Sequence, residues 1–223
     1  QEVVLSDGNH KLTDSLQMRL NVGLRGVGRR SSWLIQHTNN KSCLSFARTQ
    51  GIFTDISKIG FTVNSGVTGA TLLDIGSTAG SGGVGNINIT SCNLVGGAIG
   101  IEIDAGYYIN AYGNYFSSQT SRGMSLIGSG GANANNILFN AFTSITGDAV
   151  YIARDGGLAT LQAVVDYNSF ESITGNGINS PNTGVYDFSH NYFESISGSE
   201  IIANGSANLT CINNYTASGP VVV

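Results

Sequence analysis

The chain has 223 residues, of which only 11% are charged, 41% are apolar, 31 are glycine and 2 are proline. Ordinary globular domains carry roughly 25% charged residues, and a disordered chain would hold more charge and fewer aromatics; poverty in charge with abundant Gly, Asn, Ser and Thr suits a tightly turning β-solenoid. The net charge of −4 divides into +4 over residues 1–58 and −8 over residues 59–223, so no basic stripe follows the chain and a nucleic-acid groove is excluded. No apolar run is long enough to insert in a membrane and no targeting motif stands out. Cys43, Cys92 and Cys211 sit singly in apolar contexts, which predicts buried free thiols, with no metal site and no cofactor.

Along the chain, Val3-Val4-Leu5 precedes turn signals at Asp7-Gly8-Asn9, and Leu20, Val22 and Leu24 alternate as a strand does. Gly23, Gly26 and Gly28 resemble a nucleotide-binding loop only superficially, because Trp33-Leu34-Ile35, another strand, follows where a helix should. A further strand is read at Thr71–Ile75. Glycine-rich loops are read at Ser77–Gly83, Gly128–Gly131 and Arg154–Gly157.

From residue 86 onward the sequence repeats itself. Short alternating runs such as Asn86-Ile-Asn-Ile89 and Tyr186-Asp-Phe-Ser189 lead into Asn93-Leu94, Asn114-Tyr-Phe116, Asn140-Ala-Phe142, Asn168-Ser-Phe170, Asn191-Tyr-Phe193 and Asn214-Tyr215. The Asn-to-Asn steps are 21, 26, 28, 23 and 23 residues. Periods in the twenties signal a solenoid whose units bury their apolar faces by stacking. The runs are β-branched or aromatic and alternate with period two, and no helical or Leu-x-x-Leu-x-Leu pattern competes. The expectation is a single all-β domain over residues 1–223, a parallel β-helix of about 7–9 coils. Thr90, Ala111, Ile137, Val165, Phe188 and Cys211 should form one inward column. Val95, Phe116, Phe142, Phe170, Phe193 and Thr216 should form a second, in which the four Phe rings stack. The Asn column should bond its own backbone and the amide of the next coil at a bend.

Gly8-Asn-His-Lys-Leu12, Leu24-Arg-Gly-Val-Gly-Arg29, Trp33-Leu-Ile35 and Asp55-Ile-Ser-Lys-Ile-Gly-Phe61 resemble the opening coils of the pectate-lyase-like β-helix superfamily, and most of all bacteriophage tailspikes and capsule depolymerases. The later Asn-x-Phe repeats fit the same pattern. The resemblance implies a right-handed, single-stranded β-helix, a homotrimer, a bacterial surface polysaccharide as partner, and a place on the virion tail. It further implies that the chain is a fragment of a longer spike. The capping helix usual before the first coil does not precede Gln1, and the calcium-binding Asp and catalytic Arg of pectate lyases are not recognisable. A secreted lyase is therefore disfavoured against a hydrolase, and a non-enzymatic adhesin or spike shaft stays open.

Stacking would bring Glu171 and Glu194 to ~5 Å, the separation of a retaining glycosidase pair, so these are the candidate catalytic residues. The bland reading, a solvated turn repeated by duplication, costs only ~1 kcal/mol of repulsion in water. Asp166, Asp187, Tyr192 and Arg154 are the candidate substrate-binding residues, with Asp148 and Asp155 in the preceding coil. Tyr108, Tyr112, Tyr115 and Tyr192 should face outward, as sugar platforms or as subunit contacts. His190 reads as a satisfied structural histidine.

Overall fold

The computed structural model describes residues 1–19, 21–47, 53–78, 84–104, 106–128, 133–153, 161–204 and 208–221. Arg154, Asp155 and parts of the three glycine-rich loops lie outside the described residues, as does Leu20. The described strands form three sheets of nine, ten and eight members, with no helix among the described residues. Each strand pairs with the strand three places on in sequence, so every coil gives one strand to each sheet. Sheet 1 runs from Glu2–Leu5 to Asn208–Thr210, sheet 2 from Gly8–Leu12 to Tyr215–Thr216, and sheet 3 from Leu16–Gln17 to Ile201–Ala203. All these pairings are parallel. In sheet 2 alone a final antiparallel strand, Gly219–Pro220, folds back on Tyr215–Thr216. The chain is thus the parallel β-helix that its repeats predicted, and the eight strands of sheet 3 count eight complete coils.

The corner between sheets 1 and 2 gives the coils their common frame. From the third coil to the eighth, two residues always separate the strands, as in Val84–Thr90 and Asn93–Val95, or Gln162–Asp166 and Ser169–Ile173. The first of the two adopts the left-handed conformation: φ is 54° at Ser91, 65° at Gly113, 56° at Phe139, 56° at Tyr167 and 52° at His190. Side chains other than Gly and Asn resist that conformation, so something must hold it. The second residue does so. The Oδ1 atoms of Asn140, Asn168, Asn191 and Asn214 accept from the backbone N–H of Asn114, Asn140, Asn168 and Asn191 at 2.9–3.0 Å. Each Nδ2 donates back to the inward residue of the preceding coil, for example Asn140 to Ala111 O at 3.0 Å and Asn168 to Ile137 O at 2.9 Å. These amides are 1–3% exposed, and they satisfy backbone groups that burial would otherwise orphan.

The first copy of the repeat is displaced by one residue from the expected alignment. Cys92, not Asn93, heads the ladder, its N–H donating to Asn114 Oδ1 at 2.9 Å. Asn93 pairs with Tyr115, Leu94 with Phe116, and Ile89 with Ala111. Leu94 and Ile89, not Val95 and Thr90, therefore continue the inward columns. Burial of the two larger aliphatic side chains, both 0% exposed, sets the register more strongly than the shared letter Asn.

Inside, Phe116, Phe142, Phe170 and Phe193 stack with ring centroids 4.5, 5.0 and 4.8 Å apart and planes within 12°. Leu34, Phe61 and Leu94 carry the same column into the earlier coils. Burying each ring contributes roughly 1.5–3 kcal/mol. Glycines of sheet 3 make the room: a Cβ on Gly100, Gly123 or Gly177 would stand 2.8, 2.8 or 2.5 Å from ring atoms of Phe116, Phe142 or Phe193. Cys43 and Cys92 are free and fully buried, whereas Cys211, against expectation, is only partly buried.

Candidate functional site

Glu171 lies on Ser169–Ile173 and Glu194 on Tyr192–Ile196 of sheet 2, and the two glutamates are direct partners across the strand pair. Neighbouring strands run ~4.8 Å apart, so the carboxylates leave one face at that spacing, both exposed to solvent. Alternation puts them there, because Phe170 and Phe193 beside them point inward. Tyr192 is 41% exposed and donates its hydroxyl to Glu194 Oε2 at 3.3 Å. Lost water, then the charges of Glu194 and Glu171, push that hydroxyl's pKa up. Tyr115 and Tyr215 occupy the same column as Tyr192.

Asp166 and Asp187 lie across the Asn corner, on sheet 1. They are not partners: Asp166 pairs with Ser189 and Asp187 with Val164. Each carboxylate has one oxygen engaged. Asp166 Oδ1 is 3.0 Å from His190 Nδ1, and Ser189 donates its hydroxyl to Asp187. His190 is satisfied on both sides, since Asn213 Nδ2 lies 3.1 Å from its Nε2. Asp148 accepts from Asn176 N, Asn176 Nδ2 and Asn179 Nδ2 at 2.7–2.9 Å, a clamp between coils. The expected substrate-binding set is thus split between two faces, with Tyr192 beside the glutamates and the two aspartates around the corner.

Sequence reading missed three features. The first is a corner ladder of exposed rings. Phe139 stacks on Tyr167 at 5.0 Å and 2°, and Tyr167 on His190 at 4.6 Å and 5°, with Tyr112 tilted against Phe139 at 5.3 Å. All three stacked rings immediately precede a repeat Asn, a signal that was visible. The second is a carboxylate pair on sheet 3. Asp74 on Thr71–Thr78 is the partner of Glu102 on Ile99–Asp104. Burial, then the charge of Asp74, raises the Glu102 pKa, while Arg122 opposes the rise. Arg122 sits 3.7 Å over the Tyr151 ring and donates to Ser125 Oγ at 3.1 Å. The third is a cleft of about 370 Å³ on the outer face of sheet 1, walled by Phe53 and Tyr108 and floored by Asp55, Asn88 and Asn110.

No protein-family model and no curated protein matches the chain. Solved structures do. The catalytic domain of a GH87 alpha-1,3-glucanase in complex with nigerose superposes with a TM-score of 0.77 at 10% identity, over 96% of this chain and 40% of that one. The catalytic unit of the thermostable GH87 alpha-1,3-glucanase from Streptomyces thermodiastaticus strain HF3-3 gives 0.72 at 15% identity, over 96% and 41%. Geobacillus virus E2 ORF18 gives 0.55 at 14% identity, over 96% and 52%. The chain spans about two fifths of the glucanase chains and half of the viral one. At such identity the likeness defines the class by fold: a parallel β-helix, shared with these glycoside hydrolase domains and with a viral protein.

Proposed function

We propose that the chain is the β-helix of a phage tailspike-like protein that binds and hydrolyses a bacterial surface polysaccharide, acting outside the cell from the virion tail as a homotrimer. The observation that carries this reading is the pairing of Glu171 with Glu194 across adjacent coils, beside Tyr192. Glucanase catalytic domains and a viral protein with the same fold support it.

One strand spacing approaches the ~5–5.5 Å that separates acid and nucleophile in retaining glycosidases. A bound glycan would strip water from the two glutamates and drive their affinities for protons apart. The protonated carboxyl then donates to the glycosidic oxygen while the ionised one attacks the anomeric carbon, and water releases the sugar from the resulting ester. Tyr192 holds Glu194, and Asp166 and Asp187 orient hydroxyls from the neighbouring face. Arg154 belongs to the same substrate-binding proposal.

The experiment is reducing-end release from purified capsular and O-antigen polysaccharides. Glu171→Gln and Glu194→Gln should each abolish cleavage and keep stability and glycan binding near parental, because the amide keeps the shape and loses the proton chemistry. Parental cleavage by either variant would refute the pair and move the test to Asp74→Asn and Glu102→Gln. Those residues have a reading of their own, because the raised proton affinity of Glu102 beside an acidic partner is what a general acid needs. A third reading, a spike that binds without cleaving, is favoured by the solvent exposure of Glu171 and Glu194, and binding without any new reducing ends would establish it.

A further inference from the structure

The cleft on sheet 1 has the chemistry of a site, and none of the catalytic candidates lines it. Its floor is a hydrogen-bonded row running across coils. Asn88 Nδ2 donates to Asp55 Oδ1 at 2.7 Å, Asn110 Nδ2 to Asn88 Oδ1 at 2.9 Å, and Asn136 Nδ2 to Asn110 Oδ1 at 2.7 Å. Each amide has two N–H groups and two lone pairs. The row engages one of each, leaving at each rung a donor and an acceptor for a ligand. A vicinal pair of sugar hydroxyls, able to donate and accept, matches that set. The walls are Phe53, 67% exposed, and Tyr108, 57% exposed, flat faces of the kind that carry the apolar side of a pyranose ring. The volume of about 370 Å³ falls within the range of small-molecule sites.

Two further observations narrow the ligand. Tyr108 holds the left-handed conformation, with φ 55°, at the place in its coil where Asn86, with φ 56°, stands in the coil before. Asn adopts that conformation at lower cost than Tyr, and no ladder amide follows Tyr108 as one follows Tyr167; such strain is found at ligand sites. Among the described residues lining the cleft, Asp55 is the one carboxylate and no Lys or Arg is present. An anionic polymer would meet like charge there.

We propose that the cleft between Phe53 and Tyr108 is a binding subsite for a neutral glycan, which lies along the solenoid axis with successive sugars against successive amide rungs. The proposal rests on the carbohydrate reading above and adds a place and a substrate class that the cleavage carboxylates do not set.

The test uses an array of purified bacterial polysaccharides, one group built of neutral sugars only and the other containing uronate or phosphate. The parental chain should retain at least one neutral polysaccharide. Phe53→Ala and Tyr108→Ala should each weaken that binding about tenfold, the scale of one lost ring platform. Far-UV circular dichroism checks folding, and Tyr108→Asn, which suits the left-handed backbone, replaces Tyr108→Ala if that variant misfolds. Binding confined to the uronate or phosphate group overturns the substrate class. Parental affinity in both ring variants overturns the place, and a simultaneous change in their sedimentation would mark the face as a contact between copies. If the parent binds no polysaccharide at all, the carbohydrate reading falls together with the subsite.

Discussion

Replacing Asn140 with alanine probes the framework on which every proposed site hangs. The Asn140 side chain makes four hydrogen bonds in the buried corner. Its Oδ1 accepts from Asn114 N at 2.9 Å and Asn114 Nδ2 at 3.1 Å, and its Nδ2 donates to Ala111 O at 3.0 Å and Asn168 Oδ1 at 3.1 Å. Alanine leaves the buried backbone N–H of Asn114 without its acceptor and removes a donor from Ala111 O, while Asn168 Oδ1 keeps its bond from Asn140 N at 2.9 Å. The orphaned N–H costs about 1–3 kcal/mol and the lost bond to the carbonyl about 1 kcal/mol more, so Asn140→Ala should destabilise by about 2–4 kcal/mol. Urea unfolding followed by far-UV circular dichroism reads this as a lower midpoint at unchanged slope. The matched control is Asn110→Ala, in the outward amide row, where solvent replaces the lost partner and the cost should stay under about 1 kcal/mol. Equal losses in the two variants would refute the argument that the corner ladder satisfies otherwise stranded backbone groups.

Three other outcomes are expected. Phe170→Ala, in the middle of the ring stack, should cost about 3–5 kcal/mol through lost burial and an unfilled cavity, and a midpoint within error of the parent would contradict the stack. Burial and Asp74 raise the Glu102 pKa in the folded chain, so the fold binds this proton more tightly than the unfolded chain does, and stability falls as pH rises through the folded value. Glu102→Gln should therefore raise the melting temperature at neutral pH and lose that advantage in acid, below the ordinary glutamate range; a benefit that grows in acid would reverse the sign. Burial pushes the Cys43 and Cys92 thiols up to about 12, whereas Cys211 is partly buried, so Ellman's reagent should modify Cys211 first and reach the other two only on unfolding. Equal rates for all three would contradict the burial.

The columns legible in the sequence are those whose chemistry allows little choice. Only an amide can both accept from the coil before it and donate to that coil and the one after, so Asn114 to Asn214 announce themselves by letter and period. The interior beside them gains room for a ring where glycine stands opposite, as at Phe116, Phe142 and Phe193, and so the rings repeat as well. The left-handed backbone at the corner does not show in the letters, because the ladder next to it fixes the conformation and leaves the side chain free: Ser91, Gly113, Phe139, Tyr167 and His190 share one conformation, and only the last three share a ring. The Asp74–Glu102 pair escaped because the variable corner between sheets 3 and 1 lies between them, so spacing alone does not align them. Glu171 and Glu194 were visible because the segment between them contains no long insertion.

The two-residue corner between sheets 1 and 2 stands against a corner between sheets 3 and 1 of very unequal length. One residue separates Ile99–Asp104 from Gly106–Tyr112, but seven separate Arg122–Ile127 from Asn135–Leu138, and eight separate Asp148–Ala153 from Gln162–Asp166. Lengthening a loop costs little entropy, ~0.6 kcal/mol per doubling, provided that the strands on either side keep their register. Here the register is held at the corner between sheets 1 and 2, by the amides of the Asn ladder. Inheritance can therefore add, trim or exchange a loop in one coil without renegotiating any other, so that one edge of the molecule diversifies while the other stays constant. Such a division separates what must be kept from what is free to vary.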